Sequence, residues 1–332
     1  MRWARRMASG LGVILVLYLA QELANRFLIE YVVRILMLAG INIILAVGLN
    51  LINGTTGQFS IGHAGFMAVG AYAAAVFGVE MRPWLVGALG PGLGDAVVFN
   101  LALLFGALAA GLTGILVGIP SLRLKGDYLA IVTLGFGEII RIFFTNQERL
   151  GAATGYFGNG SAGLPAYTTF FWVFFWAFVV TLLVANVTFS QTGRMLRAIR
   201  EDEIAAEASA VQTTRLKVMA FALSAAFAGI AGGLFAHMQA GVRPDDFKFE
   251  KSVDMLVMII VGGLGSITGA VIGGVFLAVS LEAMRDLEEY RLILYSCLLV
   301  LIMILRPQGI LGRRELSLRA LLLGKKRARS QP

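Results

Sequence analysis

Nine apolar runs constrain this chain more than any other feature. They fall at Leu11–Ile29, Val32–Ile52, Ile61–Val79, Ala96–Ile119, Tyr128–Phe144, Phe170–Val187, Leu216–Ala240, Val253–Leu281 and Leu292–Leu305. Roughly 17 to 25 such residues cross the hydrocarbon of a bilayer as a helix. Hydrophobic residues make up 58% of the chain and charged residues 14%, so the sequence predicts an all-α polytopic membrane protein. The 332 residues are taken up by spans and short connections, which leaves room for one membrane domain over residues 1–312 and a basic tail over 313–332.

The charges say which way such a protein faces. Arg2, Arg5 and Arg6 lead the chain, and Arg306, Arg313, Arg314, Arg319, Lys325, Lys326, Arg327 and Arg329 crowd its end, so the two tails together exceed the net charge of +8. Basic flanks mark the cytoplasmic side of membrane proteins, so both termini are expected there. The basic, apolar start reads as an uncleaved anchor, since Gln21 and Glu22 follow it where a cleavage site would stand. A positive excess confined to the tails argues against a nucleic-acid surface. Two cytoplasmic ends require an even number of crossings, and Val253–Leu281 is too long for one simple span and is interrupted by Gly262, Gly263 and Gly265. Read as a glycine-broken hairpin, it brings the expected count to about ten (8–10), with a re-entrant loop plus one span as the rival. This topology places Arg123 and Lys125 on the cytoplasmic side, together with the polar insert Gly193–Lys217.

That insert is the least membrane-like part of the interior. Glu201, Asp202 and Glu203 stand where a helix dipole favours acids, and Ile204, Ala205, Ala208 and Val211 recur at helical spacing. A short helix over about Glu201–Val211 with one small apolar face suits a groove on another protein. The long segment Asn146–Pro165, on the other side, reads as a flexible glycine-rich connector, with a gate or docking lip for a soluble partner as the alternative.

Two glycine-rich interruptions, Gly54–Gly70 and Gly262–Gly274, each place Ser-Ile before a small-residue helix, at Ser60-Ile61 and Ser266-Ile267. Matched breaks in two halves point to a transport path, here with Gln58, Ser60, His63, Gly263, Gly265 and Ser266 as candidates. Close helix packing through Gly265, Gly269 and Gly273 is the alternative. The run Gly262–Gly269 is no dinucleotide fingerprint, because Thr268 stands where the third glycine belongs, and no phosphate-binding P-loop occurs. Glu138 and Arg141 are three residues apart in one apolar run and form a candidate intramembrane ion pair. With one cysteine, Cys297, and two histidines, His63 and His237, neither a disulfide nor a metal cluster is expected.

The stretches LNLINGTTGQFSIGHAGFMAVGAYAAA, LRLKGDYLAIVTLGFGEIIRI, GRMLRAIREDEIAAEASAVQ, PDDFKFEKSVDMLVMIIVGGLGSITGAVIGG and LRPQGILG resemble the permease subunits of bacterial branched-chain amino acid ABC transporters, of the LivM type. The resemblance runs from about Asn42 to Gly312. It implies an ABC importer permease fold and a subunit that is not an enzyme and holds no cofactor itself. ATP and Mg would be bound by two partner ATPases, and a second homologous permease of the LivH type and a periplasmic binding protein would complete the transporter in the bacterial inner membrane. It also implies that Arg197, Arg200, Glu201, Asp202, Glu203, Ala205, Ala206 and Glu207 form the ATPase-coupling segment. The family often has Gly where this chain has Ala210-Val211, at a turn where Ala resists positive φ. The implied cargo is leucine, isoleucine or valine, with urea, amides or aromatic acids carried by relatives. An ion-coupled carrier or channel using Glu138, Arg141 and His63 is the rival from another class, and the coupling insert argues against it.

Overall fold

A computed structural model describes residues 2–124, 126–159, 162–284, 297, 309, 310 and 312. Lys125, the basic tail 313–332 and, apart from Cys297, the run Leu292–Leu305 lie outside the described residues. Eleven α-helices dominate the rest: α1 Arg2–Phe27, α2 Glu30–Asn50, α3 His63–Leu89, α4 Leu93–Ser121, α5 Asp127–Thr145, α6 Phe170–Phe189, α7 Gln191–Glu201, α8 Glu203–Ala208, α9 Thr213–Gln239, α10 Phe249–Gly262 and α11 Ile267–Ala283. Among the described residues six spans are long and apolar enough to cross a membrane, namely α2 with its extension to Thr56, α3, α4, α5, α6 and α9. The chain is a multi-pass helical membrane protein.

The core is the bundle of α3, α4 and α9, where glycines let backbones touch. A Cβ on Gly70 would lie 2.2 Å from the Cα of Gly229, and one on Gly106 would lie 2.6 Å from the Gly70 carbonyl oxygen. Without a strong hydrophobic drive between helices in lipid, such close approach is what holds membrane helices together. Around this core α2 packs on α9, α6 and α11, and α5 lies along α3. Aromatic pairs fill the remaining gaps, as where Tyr72 stacks on Phe144 with ring centroids 4.1 Å apart.

The run Val253–Leu281 is two helices, α10 and α11, joined at Gly263–Ser266, as its glycines suggested. Gly263 and Gly265 take φ of 116° and 88°, values open to glycine, and Ser266 caps α11 by accepting the Gly269 N–H at 3.0 Å. Gly265 therefore belongs to the turn, not to a helical stripe. Gly269 and Gly273 do form close contacts, with the Gly262 and Met258 carbonyls of α10. At 14 residues α10 reaches about 21 Å, short of the ~30 Å hydrocarbon core.

Two other expectations shift. Helix α3 continues ten residues past Val79 to Leu89, through Glu80, Arg82 and Pro83. Arg82 is held there by Asp95 of α4, Nε to Oδ1 at 3.1 Å. The segment Asn146–Pro165 is not a loose connector: it carries two 3₁₀ turns and the two-residue strands β1 Gly158–Asn159 and β2 Ala162–Gly163. Tyr156 and Val242 exchange backbone hydrogen bonds of 2.8 and 2.9 Å, tying it to the chain beyond α9.

Candidate coupling and translocation site

The polar insert folds as two helices. Asp202 adopts an extended backbone (φ −157°, ψ 110°) that stops α7, and its carboxylate accepts the N–H groups of Ile204 and Ala205 at 2.9 and 3.1 Å to start α8. Helix α7 is amphipathic. Gly193, Leu196 and Ile199 are buried beneath it, and its first turn is capped by Ser190. A helix over Glu201–Val211 was expected. The Asp202 cap shortens it at the front, and Ala210, at φ 61°, turns the chain after Ala208.

Most of the expected coupling residues are tied into this chain. Glu203 Oε1 accepts from Lys217 Nζ at 2.5 Å, and Lys217 is only 4% exposed. Glu207 Oε1 accepts from the Thr213 hydroxyl at 2.6 Å, and Ala206 is 5% exposed. Arg197 donates to the Thr188 carbonyl at 3.2 Å. Arg200 points inward. Its Nη1 donates to the Gly54 carbonyl at 2.7 Å, while Nη2 meets Glu201 Oε1 at 2.7 Å. What α8 presents outward is Ile204, 75% exposed, with Ala205 and Ala208.

The two glycine-rich interruptions, separate in sequence, meet in space. Beyond Asn50, α2 loosens into a π-helical turn over Leu51–Thr56, a form that favours functional sites. Gly57 then reverses the chain at φ 73°, and residues 58–62 run back beside that turn. Asn53 holds the returning strand, accepting from Ser60 N and donating to Ser60 O, both at 3.2 Å. Asn50 holds the other interruption: its Oδ1 accepts from Gly265 N at 2.8 Å and its Nδ2 donates to Ser266 O at 3.2 Å. Gly265 thus adjoins Gly54, Ser266 is tied to the same turn through Asn50, and Gly263 packs instead against Gly312. Gln58 sits half-buried at the turn's rim.

Ser60 and His63 are deeper. The Ser224 hydroxyl donates to the Gly48 carbonyl at 2.5 Å, and His63 Nε2 shares a hydrogen bond of 3.0 Å with Ser224 Oγ. His63 Nδ1 and Ser60 Oγ are buried with no hydrogen-bond partner. Two neighbours fix the start of α3: Thr133 Oγ1 accepts from Ile61 N at 3.2 Å, and Ser252 Oγ accepts from Ala64 N at 3.1 Å. Glu138 and Arg141 do pair, Oε2 to Nε at 2.8 Å. Glu138 lies in a closely packed seam between α5, α10 and the start of α3, with Ile61, Ala64 and Ser252 as neighbours and no room for a water molecule.

On the opposite end of the bundle Asp95 Oδ1 also accepts the Tyr167 hydroxyl at 2.7 Å, and burial together with this bond raises the Tyr167 pKa. His237 Nδ1 donates to the Pro165 carbonyl at 2.9 Å, far in sequence from His63. No group of three or more metal-binding side chains occurs among the described residues.

Sequence reasoning missed Asn50, Asn53, Ser224, Ser252 and Lys217. Each is a polar residue in or beside an apolar helix, where an unpaired polar group is costly, and that alone could have marked them.

Comparison with known proteins shows which family the chain belongs to. The family described as branched-chain amino acid transport system / permease component matches residues 31–305. The high-affinity branched-chain amino acid transport system permease protein LivM of Salmonella typhimurium is 39% identical over 301 residues, covering 82% of this chain and 68% of its own length. LivM of Escherichia coli is 37% identical over 313 residues, 84% of this chain and 69% of its own. LivH of Escherichia coli is 30% identical over 164 residues, 48% of this chain and 52% of its own. These relatives are permeases, not enzymes. No solved structure matches the chain. By its match over most of its length, the chain belongs to the permease-component family of branched-chain amino acid transport systems.

Proposed function

We propose that this chain forms half of the translocation path of an ATP-driven importer of leucine, isoleucine and valine in the bacterial inner membrane, with both termini and the α7–α8 loop cytoplasmic. The other half is a LivH-type permease, two ATPases bind ATP and Mg, and a periplasmic protein delivers substrate. In this reading α1, α11 and α10 with the turn Pro244–Phe247 that leads into it add three passes to the six long spans, and the tenth is expected outside the described residues.

One observation carries it. Helix α8 is fastened on one side by Lys217–Glu203 and Thr213–Glu207 and presents Ile204 on the other. An aliphatic side chain held out from a rigid polar loop is the form of an anchor for a partner's pocket. In the family setting that partner is the ATPase. Ile204→Asp is expected to shed the ATPases from the permease pair during size exclusion and abolish uptake, while the pair itself stays together. Retention of the ATPases at wild-type stoichiometry would remove α8 as their docking element.

A further inference from the structure

The coupling loop touches the membrane domain's interruptions through one side chain. Arg200, the penultimate residue of α7, is folded under the end of α2, where its stem packs so closely against Gly57 that a Cβ there would lie 2.4 Å from Arg200 Cγ. Its guanidinium bonds the Gly54 carbonyl at 2.7 Å and lies 3.1 Å from where a Gly265 Cβ would stand. Larger residues at Gly54 are equally excluded, since a Cβ would fall 2.5 Å from Gly265 N. Asn50 then bonds Gly265 and Ser266. Loop, π-helical turn and hairpin are therefore joined in series: Arg200 to Gly54, and the turn of α2 through Asn50 to Gly265–Ser266. Glu201 fixes the far side of the guanidinium at 2.7 Å. A planar, always-charged group with several donors is suited to hold a carbonyl in this way.

We propose that Arg200 is a positioning residue for transport: it transmits movement of the ATPase-docked loop to the paired interruptions at Gly54–Gly57 and Gly263–Ser266, with Asn50 as the second link. The proposal rests on the docking role of α8. It gives Arg200 a task different from that of Ile204, which faces the partner. When the loop shifts, the end of α2 and the tip of the α10–α11 hairpin move with it as one unit. The π-helical turn, already off the regular helical ladder, is where the backbone yields.

The test uses the whole transporter in proteoliposomes and measures leucine taken up per ATP hydrolysed, with subunit stoichiometry checked by size exclusion. Arg200→Gln is expected to keep all subunits and lower that ratio by about tenfold, the size of effect one charge-assisted hydrogen bond supplies. Arg200→Lys, which keeps the charge and one donor, recovers part of the ratio, and it gives the reading if Arg200→Gln fails to accumulate. Asn50→Ala produces the same defect, and the double variant is no worse than either single one, because links in series are not additive. Loss of the ATPases from Arg200→Gln would make Arg200 a docking residue and overturn the proposal. A wild-type ratio in Arg200→Gln and Asn50→Ala would make the cluster mere packing and overturn it as well. Ile204→Asp, run in parallel, reports on docking alone, so failure of that reading is seen separately.

Discussion

At Ala210 the backbone holds φ at 61°, a region where an L-residue with a Cβ costs roughly 1–2 kcal/mol. The strain follows α8, and it fixes the exit of the chain toward Thr213, whose hydroxyl bonds Glu207. Four residues before Glu207, Glu203 pairs with Lys217 and also fastens α8 to α9. The sequence suggested that Glu203 stood at a helix start for its dipole alone, worth about 0.3–1 kcal/mol. With Lys217 almost fully buried opposite it, Glu203→Lys sets two ammonium groups together and strands one of them, a loss of about 3 kcal/mol. The expected outcome is a loop that detaches from α9. Limited proteolysis of the purified subunit should then cleave between residues 201 and 212 at least several times faster than in the parent protein, while Glu203→Gln gives an intermediate rate. Equal rates in all three would mean that the pair does not hold the loop.

The helices show what patterning can and cannot reveal. Every long apolar run up to Ala240 became a helix, and Gly263 and Gly265 marked the break between α10 and α11, because uninterrupted hydrophobicity and glycine clusters are local signals. The ends were less legible. Helix α3 runs on through Arg82 because Asp95, thirteen residues away on α4, supplies its partner, and α7 is a helix because Leu196 and Ile199 find a surface to bury against. Of the site, Ser60, His63 and Ser266 could be named from the matched interruptions. The bonds from Asn50 to Gly265 and Ser266 could not, since they join residues 215 and 216 positions apart. Arg200 was expected in the coupling segment, but its inward bond was not legible for the same reason: its acceptor lies 146 residues earlier. The packing of elements makes its own prediction. Gly70→Leu, with Gly229 already at its van der Waals limit, is expected to separate α3 from α9 and abolish a folded subunit, whereas Gly87→Leu, with open space at its Cβ, is tolerated. Thermal melting in detergent distinguishes them, and an unchanged midpoint for Gly70→Leu would contradict the backbone contact.

For the molecule as a whole, the ends of the bundle are chemically distinct. One gathers α7, α8, the interruptions and Gly309–Gly312, where Ile310 N bonds the Val261 carbonyl at 2.8 Å; the other gathers Arg82, Asp95, Tyr167 and the Tyr156–Val242 bridge. Under the proposed orientation the first end is cytoplasmic. In a variant with Cys297 replaced by Ser, a cysteine at Ile204 is expected to react with an impermeant maleimide only after cells are opened, and one at Phe157 is expected to react in intact cells with a permeable outer membrane. Labelling with the sides exchanged would invert the molecule and remove the loop from any cytoplasmic ATPase. The most direct measurement is leucine uptake into proteoliposomes holding this chain with its second permease, its ATPases and its binding protein. Uptake is expected to require hydrolysable ATP on the α7–α8 side and to be indifferent to collapse of proton and sodium gradients. Uptake that proceeds without ATP, or that follows an ion gradient imposed across the membrane, would contradict the account.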